Sequence, residues 1–422
     1  MRKPWAHLRC QLTIGLFALA SATSGGADAQ AAERMIEVSD GVTTEVLDGL
    51  VAALQATSSN HPALASESAK VSAARYAASA ERTQRFPSLS VQAQQYTSDS
   101  IAVANAGVDT GEADRLRVHR QLLEATAAAY AAVRGSALQI DIAQLNVTEH
   151  NALLERIRTR VRGQLASSAD ERLATTRLLQ AKGALSRATS EFEGRREELI
   201  GLTQVAVGTS APVPGELLKL AEDNELIDAT LDEHAEVRLK QQQAAEAAAE
   251  VKAVRRSSMP TIYLQADRLH DQPALVDDNQ VSLVFEASLD SFGFGTRRRT
   301  GEAQAKHRAA EAEVGATKVE LRRELRALQR SRRLQSELIE LHQQARDDLQ
   351  ALLASYQRQY ESGTKSWLDL LNIQRELFEQ RHQLVQARSD WTIQSLQLAA
   401  RTGGLDSLVE INGHSDEWAA DG

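Results

Sequence analysis

Two periodicities divide this chain. From Leu321 to Tyr360 apolar residues recur at alternating spacings of three and four: Leu321, Leu325 and Leu328, then Leu338, Leu341 and Ala345, then Leu349, Leu353, Tyr356 and Tyr360. Arg330, Arg332 and Arg333 interrupt the series. Such spacing puts one narrow apolar stripe on a helix. The pattern predicts a helix from about Thr296 to Glu361, on the order of 100 Å long, and a stripe so narrow calls for partner helices rather than a globular core. Three short segments alternate with period two instead. Leu89, Val91 and Ala93 oppose Ser90, Gln92 and Gln94; Ile262, Leu264 and Ala266 oppose Tyr263, Gln265 and Asp267; Val281, Leu283, Phe285, Ala287 and Leu289 oppose Ser282, Glu286, Ser288 and Asp290. These predict strands with one apolar and one polar face. No proline lies between Pro87 and Pro212 or after Pro273, so long helices meet no breaker there.

The two patterns occur twice. His61 precedes Pro87 by the same interval as His234 precedes Pro260, and in that register Ala74 meets Ala247, Arg82 meets Arg255 and Gln92 meets Gln265. Each copy is an Ala-rich helix that stops at Phe86-Pro87 or Met259-Pro260, because proline disfavours helical backbone in the residue before it. A looser second register aligns Asp170 with Asp369, Leu178 with Leu377, Leu185 with Leu384 and Phe192 with Trp391. Both copies therefore read helix, strand region, long helix, turn, helix, with Gly163 and Gly363 at the turns. The expected organisation is a leader over 1–29, a first repeat over 40–210, a linker over 211–230, a second repeat over 231–404, and an acidic, mobile tail over 405–422. The first copy is the shorter between proline and aspartate. It lacks a clear counterpart of the Val281 segment, only Ser100 to Asn105 could serve, and its long helix is expected to be cut.

Composition narrows the function. Of 422 residues, 48 are basic and 57 acidic, a net charge of −9; phosphate backbones need a positive field, so a nucleic-acid partner is disfavoured. Arg2, Lys3 and Arg9, the apolar Leu12 to Ala22 and the small-residue run to Ala27-Asp28-Ala29 read as a secretory leader. Cys10, the single cysteine, falls inside it, which removes disulfides and cysteine chemistry from the exported chain. No later stretch reaches the ~20 apolar residues of a membrane helix. The ten histidines show no metal-ligand spacing. Gly293-Phe294-Gly295 lacks the third glycine of a dinucleotide loop. Acid pairs such as Asp347-Asp348 point in different directions on a helix. No cofactor, metal or catalytic group is expected.

Two-faced strands in an exported chain satisfy their backbone bonds in lipid only within a closed barrel. Three or four strands cannot close one, so several chains would share it. The stretch Phe86-Pro87-Ser88-Leu89-Ser90-Val91 with its counterpart Met259-Pro260-Thr261-Ile262-Tyr263-Leu264, the run Ser291 to Arg298, and the turn Tyr360-Glu361-Ser362-Gly363-Thr364-Lys365-Ser366-Trp367-Leu368-Asp369-Leu370-Leu371-Asn372 resemble the TolC outer-membrane efflux and type I secretion channel family. The resemblance covers roughly residues 40 to 404. It implies a mainly α fold with a small β part: duplicated helical hairpins building a coiled-coil tunnel, and a few transmembrane strands per chain forming a shared barrel in a homotrimer. It also implies an outer-membrane location reaching into the periplasm, contact with outer-membrane lipid, a periplasmic adaptor and an inner-membrane pump. Leu89, Val91, Ile262, Leu264, Val281, Leu283 and Phe285 would then belong to membrane strands.

The same resemblance places a periplasmic gate at Tyr360, Lys365 and Asp369, with Asn372 where the family usually carries a second aspartate and Asp170 at the matching turn of the first copy. Three-fold symmetry would bring three Asp369 carboxylates to one axis, where they repel each other and attract cations. Gly163, Gly363 and Thr364 lie at hairpin tips that resemble adaptor-docking ends. Taken without the resemblance, all of these are ordinary solvated turn residues. The alternative function is a periplasmic coiled-coil adaptor or scaffold without a pore, its apolar strand faces turned inwards rather than to lipid.

Overall fold

The computed structural model describes residues 49–83, 98–219, 230–256, 261–268, 279–286 and 294–409. Along them run α1 (Leu50–Asn60), α2 (Pro62–Thr83), α3 (Ser98–Arg162), α4 (Ser168–Thr203), α5 (Gly215–Leu218), α6 (Ala235–Arg256), β1 (Thr261–Arg268), β2 (Asn279–Glu286), α7 (Phe294–Glu361), α8 (Trp367–Arg401) and a 3-10 turn (Asp406–Leu408). The proposed leader lies outside the described residues.

The duplication is physical. His61 Nδ1 accepts the amide of Ala63 at 3.2 Å and His234 Nδ1 accepts that of Glu236 at 3.3 Å, each satisfying an amide that a helix start leaves free. The helices they introduce, α2 and α6, are both 22 residues long and begin and end at matching positions. The second register holds equally well. Ser167 and Ser366 open α4 and α8 with the same reciprocal capping box, closed by Asp170 and Asp369.

The long helices differ from expectation in the first copy. α3 runs for 65 residues against 68 for α7, so it is not cut, and Ser100 to Asn105 forms its opening turns rather than a strand. The shortfall lies before α3: Ser98 follows Pro87 by 11 residues, whereas Phe294 follows Pro260 by 34. At 1.5 Å per residue both helices approach 100 Å.

In the second copy β1 and β2 pair antiparallel. The register sets Ile262 against Phe285, Leu264 against Leu283 and Ala266 against Val281, alternating with Tyr263 against Val284, Gln265 against Ser282 and Asp267 against Gln280. Apolar positions thus meet apolar positions, as the period-two pattern requires. The second strand begins two residues earlier than the pattern suggested; the corresponding segment of the first copy, with Leu89 and Val91, lies outside the described residues.

α3 is the hub. It packs on its hairpin partner α4, on α1, α2 and α6, and on α8 of the other repeat, while α7 packs on α6 and α8. One core joins Leu50 and Leu54, Leu123, Tyr130, Leu199, Leu396 and Leu405. A second, towards the hairpin ends, joins Leu154, Ile157, Leu178 and Leu371. A third joins Val237, Leu321, Leu325 and Leu398. Arg332, which interrupts the α7 stripe, is buried too: its guanidinium donates to Ser395 Oγ at 2.8 Å and to the Leu218 carbonyl at 2.9 Å, and lies over the Trp391 ring. The apparent break in the pattern is a buried polar clamp. Leu341, counted in the same stripe, is 61% exposed, as are Val319 and Leu334 to similar degrees, so within one chain α7 keeps an uncovered apolar edge.

The start of the linker and the start of the tail are both tied to the helices. Tyr130 donates its hydroxyl to the Ala211 carbonyl at 2.6 Å, and Arg134 donates to the carbonyls of Thr209 and Ser210 at 2.9 and 2.8 Å, strapping the start of the linker to α3. The tail is not free from Leu405 onward. Leu405 and Val409 are buried, and Asp406 accepts from Arg120 at 2.6 Å; two apolar anchors and an ion pair outweigh the acidic composition up to Val409. Residues beyond that lie outside the described set.

Candidate functional site at the hairpin ends

The turns joining α3 to α4 and α7 to α8 are built alike. Leu165 N–H bonds the Arg160 carbonyl at 2.8 Å and Gln164 N–H bonds that of Val161; Thr364 N–H bonds the Gln359 carbonyl at 2.9 Å and Gly363 N–H bonds that of Tyr360. Both helices end in a Schellman motif, whose pivot residue must take a left-handed backbone. In the second turn the pivot is Gly363, at φ 79°; in the first it is Gln164, at φ 60°, and not the adjacent Gly163. A side chain there costs roughly 1 kcal/mol. Gln164→Gly should therefore raise stability by about that amount, read as a higher unfolding midpoint, whereas Gly363→Ala should lower it.

Side chains of the two tips interlock. The Arg160 guanidinium stacks over the Tyr360 ring with its carbon 4.3 Å from the centroid, and Tyr360 is only 7% exposed. Lys365 Nζ lies 4.5 Å from the centre of the Tyr356 ring. Asp170 accepts from Ser167 N and Oγ, both at 2.9 Å. The Ser167 bonds, with a further one from the Trp367 side chain, hold its carboxyl below the usual aspartate range. Trp367 in turn packs against the core formed by Leu154, Ile157 and Leu371. Asp369 accepts from Ser366 N at 3.2 Å and Oγ at 2.9 Å.

The structure thus brings Tyr360, Lys365, Asp369 and Asp170 to one end of the bundle, each with a partner. Asn372 faces solvent on the first turns of α8, and Gly163, Gly363 and Thr364 sit exposed at the tips. Sequence reasoning missed Arg160, Tyr356 and Trp367 as partners. Trp367 stood in the quoted motif, but Arg160 is one of several arginines near that turn and its stacking depends on a contact between repeats. Further along, Arg381 donates to Glu149 at 2.9 Å and Gln374 to the same carboxylate at 3.4 Å, joining α8 to α3. Among the described residues no His, Cys, Asp and Glu cluster is arranged to hold a metal ion.

Partway along α3 and α7, where α8 ends, lies a charged belt. Arg401 bridges Glu124 at 3.0 Å and Glu324 at 2.9 Å, and Arg120 bridges Asp406. Burial pushes His234 down to about 4, with Arg120 and Arg401 adding to the effect, and burial lowers His119 as well. A histidine held neutral in the fold but free to ionise at its ordinary value when unfolded stabilises above about pH 6.5, and that stabilisation is lost as pH falls towards 4. Between pH 7 and 5 the loss at His234 should be about 1–2 kcal/mol, allowing for its partial exposure. His234→Asn, which keeps an acceptor at the helix start, should flatten the fall in unfolding temperature over that interval; an unchanged slope would assign it elsewhere.

Residues 226–404 match the family model for outer membrane efflux proteins. The second repeat, 231–404, falls within that match. Over 84–87% of the chain the fold agrees with that of solved outer-membrane proteins. The chain is similar to CusC (TM-score 0.73, 15% identity, 87% of this chain and 95% of that one). It is similar to the outer membrane protein VceC of Vibrio cholerae (TM-score 0.69, 16% identity, 84% and 96%). It is also similar to the MtrE outer membrane channel of Neisseria gonorrhoeae (TM-score 0.70, 16% identity, 84% and 88%). At such identities the likeness establishes the fold. No curated protein sequence matches the chain significantly. The first repeat, outside the matched residues, carries the same helical plan as the second.

Proposed function

We infer that this chain is the outer-membrane channel component of a tripartite efflux or type I secretion system, with its helices extending into the periplasm. The observation that carries this is the match to outer membrane efflux proteins at residues 226–404 joined to a first repeat of the same plan, each ending in a helical hairpin whose longer arm is ~100 Å. We propose further that three copies assemble, that the uncovered edge of α7 at Val319, Leu334 and Leu341 is buried between them, and that a periplasmic adaptor and an inner-membrane pump complete the path. The gate is assigned to Tyr360, Lys365, Asp369, Asn372 and Asp170. Support comes from the interlocked tips, where Arg160 stacks on Tyr360 and Trp367 adds a bond to Asp170 across the repeats, so that opening one hairpin disturbs both. The adaptor-docking tips are assigned to Gly163, Gly363 and Thr364, beside the exposed Leu165 and Leu368.

The test is membrane fractionation together with cross-linking. The chain should travel with outer-membrane density, and a cysteine replacing Leu341 should cross-link neighbouring copies up to a trimer. Recovery as a free monomer in the periplasmic fluid would refute the channel and favour a scaffold.

A further inference from the structure

Charge is unevenly placed at the end of the bundle from which the ribbon leaves. Asp232 forms an ion pair with Lys318, and Lys240 reaches Glu313 at 2.9 Å, so α6 and α7 run antiparallel and Arg255 and Arg256 come level with about residues 297–299. α3 runs antiparallel to α6 as well. Arg120 donates to the Glu233 carbonyl at 3.3 Å and Thr110 to Glu246 at 2.9 Å, which sets about residue 100 at the same height. At this level, over 251–256, 294–301 and 98–102, the sequence holds six basic residues, Lys252, Arg255, Arg256, Arg297, Arg298 and Arg299, against one acid, Asp99. All six basic side chains are exposed. The chain as a whole is acidic, at −9, so its composition does not account for the cluster.

Local helix rules explain only half of it. Arg255 and Arg256 stand in the last turn of α6, where the helix dipole favours cations. Arg297, Arg298 and Arg299 stand at the start of α7, where the same dipole opposes them, and the first turn there holds no acidic residue. Glu302, the next acid along α7, is paired with Lys306 at 3.0 Å. Cations gathered against a helix dipole are suited to an anion from outside the chain. The ribbon identifies the surroundings. β1 starts five residues after Arg256 and β2 ends eight residues before Phe294, and the apolar face of Ile262, Leu264, Leu283 and Phe285 suits hydrocarbon. We propose that the arginines of the α6 and α7 ends bind the phosphate groups of anionic phospholipid in the leaflet facing the periplasm. Their planar forks donate to phosphate oxygens in pairs. The proposal rests on the outer-membrane reading and names the lipid that would fix the ribbon's depth: the helices stop at the headgroups and the strands continue into the layer.

Lipid titration of the detergent-purified full-length chain tests this, with acyl-labelled phosphatidylglycerol and phosphatidylcholine as the probes. Phosphatidylglycerol should half-saturate the chain at a lipid concentration at least tenfold lower than phosphatidylcholine, and added salt should narrow the difference. A basic group beside an anionic lipid surface contributes about a fivefold preference, so Arg297→Gln with Arg298→Gln should weaken phosphatidylglycerol binding about thirtyfold and leave phosphatidylcholine unchanged. Arg297→Lys with Arg298→Lys, which keeps the charge, should stay within about threefold of the native chain. Inorganic phosphate in large excess should not displace the lipid. Displacement by phosphate would make this a site for free anions and overturn the lipid assignment. Equal binding of the two lipids by the native chain, or binding indifferent to the glutamines, would overturn the inference; the first comparison and the phosphate competition decide even if the glutamine variant does not fold. Either result in a chain that still travels with outer-membrane density leaves the channel reading standing, whereas recovery from the periplasmic fluid removes that reading and the inference with it.

Discussion

Gly135→Ala should destabilise this protein by about 2 kcal/mol, although alanine is the better helix former. In the middle of a helix that exchange ordinarily gains up to ~1 kcal/mol. Here α3 crosses α8 at Gly135, and a Cβ built on it would lie 2.2 Å from Ser389 Oγ and 2.8 Å from Ser389 Cβ. Rotating the serine relieves the first contact but not the second, since Cβ does not move with the side-chain torsion. The helices must part by roughly an ångström, and overpacking of that kind costs about 1–3 kcal/mol beyond the lost helix gain. The seam affected is the one that joins the repeats, close to the bond from Gln139 to the His382 carbonyl. Two second-site changes separate causes. Ser389→Gly, which removes the Cβ, should restore the unfolding temperature of the Gly135→Ala chain, and Ser389→Ala should not. Equal rescue by both would mean that the hydroxyl alone was responsible and that the helix spacing is softer than argued.

Tyr360→Ala should loosen the hairpin ends by about 3 kcal/mol while leaving the far cores intact. Removing a buried aromatic ring costs about 3–5 kcal/mol when the site cannot collapse, and the stacked Arg160 loses a contact of about 1–2 kcal/mol within that sum. The end of a hairpin can relax more than its middle, which places the expectation at the lower bound. Amide exchange at 158–166 and 355–365 should accelerate by about a hundredfold, the factor that ~3 kcal/mol implies. Exchange near Leu123, Tyr130 and Leu396 should not change. Tyr360→Phe, which keeps the ring over which Arg160 stacks, should resemble the native chain. If Tyr360→Phe loosened the tips as much as Tyr360→Ala, the hydroxyl rather than the stacked ring would be the lock.

The helix plan was legible because it depends on local rules. Proline-free stretches, a three-four stripe, and the paired histidines and aspartates that set the repeat register belong to helices held by bonds between near neighbours in the chain. Hence the repeat register read from the letters alone aligns α2 with α6 end to end and the starts of α4 and α8 to the residue. The two-faced character of the ribbon was legible for the same reason: alternation belongs to the strand itself, and the pairing of Leu264 with Leu283 respects it. Where local signals were ambiguous the reading failed. Ser100 to Asn105 carries alternating small and apolar residues that suit a strand, but it packs beside α2 as helix, and Arg82 holds Asn105 there.

What tertiary structure alone decided concerns contacts between residues far apart in the chain. Nothing in the spacing of Arg332 distinguishes a solvated break in a stripe from a cation buried against Trp391 and Ser395, because burial depends on what the other helix brings. The same holds for Arg160 on Tyr360, for the close approach at Gly135, and for Leu405 and Val409, whose apolar side chains find a core that the acidic residues around them do not advertise. Backbone propensity acts over a few residues and is written into the sequence. Packing is settled by which surfaces the long helices bring together, and for that the chain must be folded.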